Sequence, residues 1–241
     1  MARIFITGSA DGLGRATAES LLDDGHHVIV HARSVSRLSA LQDLLDRGAE
    51  GVTGDLSDIN QTRDLADQVN RIDPVDAVIH NAGILHGQNI FQVNVVAPYL
   101  LTALINRPRR LIYLSSGMHR GGHTRLDGVD QGTHKVTYSD SKLHVTALAA
   151  AVARLWPGVL SNAVDPGWVP TKMGGPGAPD DLRLGHLTQE WLATSDDPEA
   201  LTSGGYWFHR QRHKAHQAVH DERFQNELLD HLARVTGERL S

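Results

Sequence analysis

The sequence predicts an α/β fold in which a single domain holds a doubly wound parallel sheet with helices on both faces. Three observations lead to this prediction. Short β-branched runs recur at intervals of roughly 25 to 30 residues. Amphipathic helical patterns fill the intervals, and a glycine-rich turn directly follows the first run.

The pattern places each element in order along the chain. We expect strands at residues 4–7, 27–30, 51–53, 75–79, 111–114 and 159–164. We expect helices at residues 13–22, 35–45, 59–69, 91–105 and 138–155. Proline and glycine crowd residues 166–179, which predicts a loop. A helix over 180–193, a short strand over 205–208 and a polar helix ending near Val235 complete the prediction.

Composition excludes several classes of function. The formal charge of −5, the pI near 6.3 and the absence of long runs of like charge argue against binding to nucleic acid or to an anionic membrane. The chain has no cysteine, which excludes disulfides, thiolate nucleophiles and cysteine-ligated metals. No apolar run reaches the ~18 residues of a membrane helix, so we expect a soluble protein, cytoplasmic by default.

The glycine-rich turn has the features of a phosphate-binding loop. Glycines allow a tight turn and close approach to a pyrophosphate, and the following helix offers free N–H groups to the anion. The alternative is an ordinary loop between a strand and a helix. The residues expected at the cofactor are Thr7, Gly8, Ser9, Asp11, Gly12, Leu13 and Gly14. Within this βαβ pattern they predict a dinucleotide-binding Rossmann fold.

The end of the second strand favours NADP over NAD. An acidic residue there would bind a ribose 2′-hydroxyl, whereas arginine pairs with a 2′-phosphate. The strand runs into Arg33 and Ser34, Arg37 follows one turn later, and no carboxylate stands at that position. The alternative is that both arginines are only solvated surface cations.

A tyrosine and a lysine are spaced for acid–base chemistry. Tyr138 and Lys142 are four residues apart at the start of a helical pattern, so both side chains lie on one face. A neighbouring ammonium favours the phenolate and lowers the pKa of a phenol from about 10. By itself this spacing is a common coincidence.

Taken together, these motifs resemble the short-chain dehydrogenase/reductase family from Ala2 to about Phe208. The glycine turn, Asp55 before Leu56, the run Asn81, Ala82 and Gly83, and the Tyr138–Lys142 pair occur in the family's order. A long insert between Ser116 and Tyr138, residues 117–137, resembles the retinol-dehydrogenase-like and ketoreductase-like branches.

The resemblance implies a role for each matching residue. Tyr138 would be the acid/base, Lys142 would also hold the nicotinamide ribose, Ser116 would bind the substrate oxygen, and Asn94 would support a proton-relaying water. Cofactor contacts are implied for Asp55, Leu56, Asn81, Ala82, Gly83, Tyr138, Lys142, Pro166, Gly167, Val169 and Thr171. Each has a plainer alternative: Ser115 or Ser116 could cap a turn, Asp55 could cap the next helix, and Asn94 could have no role within its helix.

The sequence also departs from the family pattern. Asn81 and Asn94 are 94 − 81 = 13 positions apart, about half the usual connection. The chain ends in a polar helix, residues 209–241 forming a helical extension, which favours a monomer or homodimer over a tetramer. Four histidines, His209, His213, His216 and His220, have helical spacing on one stripe. We interpret that stripe as a solvated face and expect no metal site.

The expected function is an NADP-dependent oxidoreductase. It would transfer hydride between nicotinamide and a carbonyl or secondary alcohol of a small, moderately apolar substrate. Residues 171–195 would form the substrate-side loop and helix within the single domain 1–241. The alternative is a non-catalytic NADP-binding sensor or scaffold protein.

Overall fold

A computed structural model describes residues 1–129 and 134–240 of the chain. In the described residues, strands β1 to β8 are Arg3–Ile6, His27–Ala32, Glu50–Thr53, Ala77–His80, Arg110–Leu114, Leu160–Asp165, Tyr206–Phe208 and Gln211–His213. Helices α1 to α8 are Gly12–Asp23, Val35–Leu38, Gln42–Asp46, Ile59–Arg71, Ala97–Leu104, Tyr138–Leu155, Leu182–Thr194 and Glu222–Thr236. Short 3₁₀ helices occur at Ser39–Leu41, Gly117–Gly121 and Gln217–His220, and a π-helical turn at Gln92–Val96.

The strands form one sheet in the order β3-β2-β1-β4-β5-β6-β7-β8. Every pair from β3 to β7 is parallel, and only β8 runs antiparallel to its neighbour β7. The prediction of a single-domain, doubly wound parallel sheet is confirmed. The strand order reverses at β1, which lies between β2 and β4, and ligands of such sheets bind at this switch point.

Alternating strand residues supply two separate cores. Phe5 of β1 packs into the cluster covered by α4, α5, α6 and α8. Its neighbours Ile4 and Ile6 point to the opposite face and join the cluster covered by α1 and α7. Successive side chains of a strand point to opposite faces, so both faces of a parallel sheet need helices.

The C-terminal segment differs from its prediction. The predicted histidine stripe on one helix is wrong, because Gln211–His213 is a β-strand and His216 precedes a 3₁₀ helix. The four histidines therefore share no helix. Helix α8 begins only at Glu222 and buries Phe224, Leu228 and Leu232. Across the described residues, no helix has the length and hydrophobicity that a membrane span requires.

Two other predicted elements differ in detail. The helix expected over residues 35–45 is interrupted at Ser39–Leu41, where the Ser39 hydroxyl donates to the Ser36 carbonyl. Such side-chain bonds to the backbone compete with a regular helix. In the predicted insert 117–137, residues 130–133 lie outside the described residues, and the part after Ser116 is the 3₁₀ turn Gly117–Gly121.

Helix α6, which carries Tyr138 in its first turn, begins with a capping box. Thr137 accepts from the Asp140 backbone N–H, and the Asp140 carboxylate accepts from the backbone N–H and hydroxyl of Thr137. Its other oxygen accepts from the backbone of His123 at 2.7 Å. Burial raises the pKa of Asp140, but the bonds from Thr137 and His123 outweigh it and leave the pKa below its ordinary value.

We predict that Asp140→Asn lowers the free energy of unfolding at pH 7 by about 0.5–2 kcal/mol, the usual range for a lost capping interaction at a helix N-terminus. Because the folded pKa is depressed, the carboxylate stabilises the fold above its ordinary pKa, and this contribution is lost as pH falls through the folded value. Urea unfolding at pH 7 and at acidic pH measures both effects. Asp64→Asn, at an exposed position on α4, is the control. Equal stability of wild type and Asp140→Asn at pH 7 would contradict the prediction.

Candidate active site

A groove of about 560 Å³ runs along the carboxyl edge of the sheet. It lies at the ends of β1, β2, β4 and β5, where the strand order reverses. Most residues predicted to contact a cofactor line it: Gly8, Asp11, Gly12, Leu13, Arg33, Arg37, Asp55, Leu56, Asn81, Ala82, Gly83, Tyr138, Lys142, Pro166 and Thr171. The folded chain therefore brings together segments that are up to 163 positions apart, since 171 − 8 = 163.

Several predicted residues do not line the groove itself. The residues outside the lining are Thr7, Ser9, Gly14, Ser34, Asn94, Ser116, Gly167 and Val169. Ser9 is fully buried; its hydroxyl donates to the Ile6 carbonyl and accepts from the His31 backbone. Ser34 precedes helix α2, and its hydroxyl pairs with that of Ser36. The side chains of Ser9 and Ser34 thus bond within the loops beside the groove instead of lining it.

The glycine turn needs glycine for two different reasons. Gly8 and Gly12 have φ values of 66° and 56°, which side chains other than glycine rarely adopt. Gly14 has no such φ, but a Cβ there would overlap the Asn81 side-chain amide and stand 2.5 Å from the Gly8 carbonyl oxygen. Asp11, at the N-cap of α1, makes no side-chain capping bond, which leaves the first N–H groups of the helix unclaimed by a side chain.

Two neighbouring segments fix the glycine turn. The Asn81 amide donates to the carbonyls of Thr7 at 2.9 Å and Gly8 at 3.2 Å, and the Thr7 hydroxyl accepts from the Ala82 backbone. On the other side, the Gly8 backbone donates to His31 Nδ1 at 2.9 Å, and His31 Nε2 bonds to the Gly54 carbonyl. The turn is thus held from both β4 and β2.

Charged groups meet at the end of the groove near β2. Arg37 and Lys172 both donate to Asp11 Oδ2, at 3.0 and 2.7 Å. Arg33 lines the same end. Lys172 belongs to the loop after β6, so this ion pair joins that loop to the glycine turn across the groove.

Tyr138 and Ser116 meet at the opposite end, beside β5. Burial raises the pKa of Tyr138 to about 12, while a hydrogen bond with the Ser116 side chain lowers it and the Asp165 carboxylate raises it. The phenol is therefore neutral at pH 7, and its pKa lies above that of a free phenol, not below it as the spacing to Lys142 predicted. Ser116 also caps the 3₁₀ turn, because its hydroxyl accepts from the Met118 backbone N–H at 3.2 Å. The same side chain therefore caps a turn and contacts Tyr138.

Lys142 lies one turn below Tyr138 on α6. Its ammonium is buried and donates to the Leu114 carbonyl at 2.7 Å, at the end of β5. Nζ lies 5.4 Å from the centroid of the Tyr138 ring. Burial lowers the pKa of Lys142 to about 8, and the Asp165 carboxylate opposes this shift.

Asn94 lies in the π-helical turn and makes three side-chain bonds. It exchanges hydrogen bonds with the Ile84 backbone at 2.8 and 3.0 Å, and its amide donates to the Ser141 hydroxyl at 3.0 Å. Pro98 lacks the N–H that an α-helix would direct to the Asn94 carbonyl, which favours the wider turn. The shortened connection from Asn81 therefore still anchors Asn94 next to α6.

The other predicted contacts occupy loops beside the groove. Asp55 accepts from the backbone and hydroxyl of Ser57, and Asp58, not Asp55, is the N-cap of α4. Gly167 has a φ of 80° and donates to Asp165 Oδ1. Val169 is buried and its carbonyl accepts from the Thr171 backbone at 2.8 Å.

Comparison with known proteins shows the family of the chain. Residues 2–112 match the family model described as short chain dehydrogenase. The chain is 40% identical to an uncharacterized oxidoreductase of Emericella nidulans, with 98% of each chain covered. It is 35% identical to the short-chain dehydrogenase chry4 of Gibberella zeae over 100% of this chain and 99% of that protein.

The chain belongs to the short-chain dehydrogenase/reductase family. It is therefore an oxidoreductase of that family's type. A solved structure, a blue fluorescent protein from a metagenomic library in complex with NADPH, shares the fold with a TM-score of 0.71. That protein is 21% identical, and the match covers 86% of this chain and 95% of that chain.

Sequence reasoning about this short-chain dehydrogenase missed three residues at the site. His31 bonds to the glycine turn, His119 bonds to the Ser116 carbonyl, and Asp165 influences the pKa of both Tyr138 and Lys142. The position of Asp165 directly before Pro166 was the available signal. The sequence carries no signal for either histidine, because each ring bridges two backbone groups that are far apart in the sequence.

We predict that Gly14→Ala weakens cofactor binding and lowers the free energy of unfolding by about 1–3 kcal/mol, as overpacking usually does. The added Cβ would displace Asn81 and the Gly8 carbonyl, which shape the turn. Isothermal titration with NADPH and thermal melting measure the two effects. Gly158→Ala is the control, since a Cβ there meets nothing within 4 Å. Wild-type affinity in Gly14→Ala would contradict the role of this close approach.

Proposed function

We propose that this enzyme reduces a carbonyl group with NADPH, and catalyses the reverse oxidation of the alcohol. The observation that carries the proposal is that Tyr138 and Lys142 line one end of a groove whose other end holds Arg33 and Arg37. The Ser116 side chain, beside the groove, is hydrogen-bonded to the Tyr138 phenol. A dinucleotide has reactive and recognition ends separated in the same way.

The residues of the groove fit a pyrophosphate and a nicotinamide riboside. Glycines at positions 8, 12 and 14 allow the tight turn and its close packing against Asn81 and Ala82. The first turn of α1 offers N–H groups to phosphate. Bound there, nicotinamide would supply the hydride that reduces the carbonyl carbon. Lys142 and Tyr138 would hold the ribose beside α6.

Ser116 and Tyr138 would act on the substrate oxygen. The Ser116 hydroxyl donates a hydrogen bond to that oxygen and stabilises the negative charge that develops on it during reduction. The neutral Tyr138 phenol then gives its proton to the same oxygen. In the reverse direction the phenolate accepts the proton from the alcohol.

Lys142 and Asn94 would restore the proton on Tyr138. A Cβ on Gly83 would lie 3.4 Å from Asn94 Oδ1 and 3.5 Å from Lys142 Nζ, so the absence of a side chain keeps a gap between these groups. A water in that gap would connect the ammonium to solvent. Asn94 is fixed for this task by its bonds to Ile84 and Ser141.

The substrate side points to a small, moderately apolar carbonyl compound. Exposed apolar side chains follow the catalytic serine and the Pro166–Gly167 pair: Met118, Trp168 and Met173. Apolar side chains supply most of the area of small-molecule pockets. We assign residues 171–195, which include α7, to the substrate side. For the assembly we propose a monomer or homodimer, since α8 buries its apolar face within its own chain.

We predict that Tyr138→Phe lowers kcat for carbonyl reduction by about 10²–10⁴-fold, the usual contribution of a general acid. NADPH affinity should fall by no more than about tenfold, the contribution of one hydrogen bond to the ribose. Initial rates with aldehydes and ketones, together with titration calorimetry, measure the two quantities. Tyr99→Phe is the matched control, because its hydroxyl bonds to Glu238 far from the groove. Full turnover by Tyr138→Phe would overturn the mechanism. NADPH binding with no activity on any substrate would favour the sensor or scaffold alternative.

We predict that replacing Arg33 or Arg37 by alanine lowers affinity for NADPH about 10- to 150-fold and leaves affinity for NADH nearly unchanged. A hydrogen bond to a charged group contributes about 1.5–3 kcal/mol, and only NADPH carries the 2′-phosphate. Dissociation constants for both cofactors measure the discrimination. Arg47→Ala, whose side chain pairs with Asp23 instead, is the control. Equal losses for the two cofactors would contradict recognition of the 2′-phosphate.

A further inference from the structure

The third residue after Ser116 is a histidine whose ring is fully buried. His119 lies in the 3₁₀ turn Gly117–Gly121 and has 0% exposure. Its Nδ1 lies 2.7 Å from the Ser116 carbonyl oxygen. Its Nε2 accepts from the backbone N–H of His216 at 3.0 Å. One imidazole ring therefore joins the catalytic-serine turn to the C-terminal segment, 216 − 119 = 97 positions away.

These two bonds determine the protonation of the ring. A backbone N–H can only donate, so Nε2 must be unprotonated, and Nδ1 must carry the hydrogen that is donated to the Ser116 carbonyl. The ring is then neutral. Burial lowers the pKa of His119 and favours this neutral form, although its bond to Ser116 opposes the shift.

The ring of His119 also packs against the last part of the sheet. Its centroid lies 4.5 Å from that of Tyr206 on β7, and the Tyr206 hydroxyl donates to Asp165 Oδ2 at 2.8 Å. Asp165 Oδ1 accepts from the Gly167 backbone at 3.0 Å. One continuous set of contacts therefore supports the serine turn on one side and the Pro166–Gly167 loop on the other.

We propose that His119 is a positioning residue for Ser116: it fixes the serine peptide by bonding its carbonyl to the backbone at His216. This inference rests on the proposed function, in which the Ser116 hydroxyl binds the substrate oxygen. That hydroxyl also accepts from the Met118 backbone within the same turn, so a shift of the turn moves it relative to Tyr138. A misplacement of about 1 Å is enough to cost up to about 100-fold in rate.

Three substitutions at His119 separate the two bonds. His119→Leu removes both. His119→Asn places an amide at the level of Nδ1 and keeps a donor for Ser116, whereas His119→Gln places one at the level of Nε2 and keeps an acceptor for His216. We expect His119→Leu to have the lowest kcat, about 10- to 100-fold below that of the wild type. The kcat values of His119→Asn and His119→Gln should lie between those two. NADPH affinity stays at the wild-type value, because the ring does not line the groove.

A matched pair at His216 tests the same bond from its other end. His216 has φ −56°, which proline adopts, so His216→Pro deletes the N–H donor without forcing the backbone at that residue. His216→Ala keeps the N–H. Both variants lose the side-chain bond that His216 accepts from the Ala218 backbone. We expect His216→Pro to have a lower kcat than His216→Ala, whereas the two variants bind NADPH with equal affinity.

The ring tautomer gives a readout that requires no turnover. A two-bond ¹H–¹⁵N correlation spectrum of the imidazole nitrogens should show His119 neutral, with its proton on Nδ1. A ring protonated on Nε2 would overturn the inference. Wild-type kcat in His119→Leu, or equal kcat in His216→Pro and His216→Ala, would also overturn it.

The outcomes separate this inference from the proposed function. If Tyr138→Phe is inactive while His119→Leu is fully active, only the role of His119 fails. If Tyr138→Phe is fully active, the proposed function fails and the positioning role fails with it. Should His119→Leu not fold, the Asn and Gln variants and the His216 pair carry the test.

Discussion

The bond from the buried Lys142 ammonium to the Leu114 carbonyl is the constraint on which the site depends. It fixes the first turns of α6 against the end of β5 at 2.7 Å. A buried ammonium without a hydrogen-bond partner would be costly, so the helix has little freedom to shift along the sheet. Tyr138 lies one turn before Lys142, and Ser116 lies two residues after Leu114. Both catalytic candidates are thus placed by one contact between a helix and a strand.

The parts of the fold that the sequence predicted well are those set by local pattern. The parallel strands follow from their β-branched runs, and α6 was predicted with its observed ends from its helical pattern. The structure adds the capping box of Thr137 and Asp140 at its start. The Tyr138–Lys142 spacing and the glycine turn are also local. Most residues expected at the cofactor line one groove because parallel strands bring their carboxyl ends to the same edge.

What the sequence could not predict depends on contacts between distant segments. The histidines at positions 209 to 220 have helical spacing, yet the chain turns back at His209 and Arg210, both with positive φ, to pair β8 with β7. This turn contains neither glycine nor asparagine, the residues that usually indicate such a turn in a sequence. The π turn at Asn94 likewise depends on Pro98 and on bonds to Ile84 and Ser141.

Two buried histidines hold the two ends of the site with opposite tautomers. His31 accepts at Nδ1 from the glycine turn, whereas His119 accepts at Nε2 from His216. We expect the cofactor end and the proton-donating end of the groove to belong to one dinucleotide site. A crystal structure with NADP⁺ bound tests it most directly. We expect the nicotinamide ring beside Tyr138 and Ser116, and the 2′-phosphate at Arg33 and Arg37. A cofactor bound elsewhere, or with its nicotinamide away from Tyr138, would contradict the account.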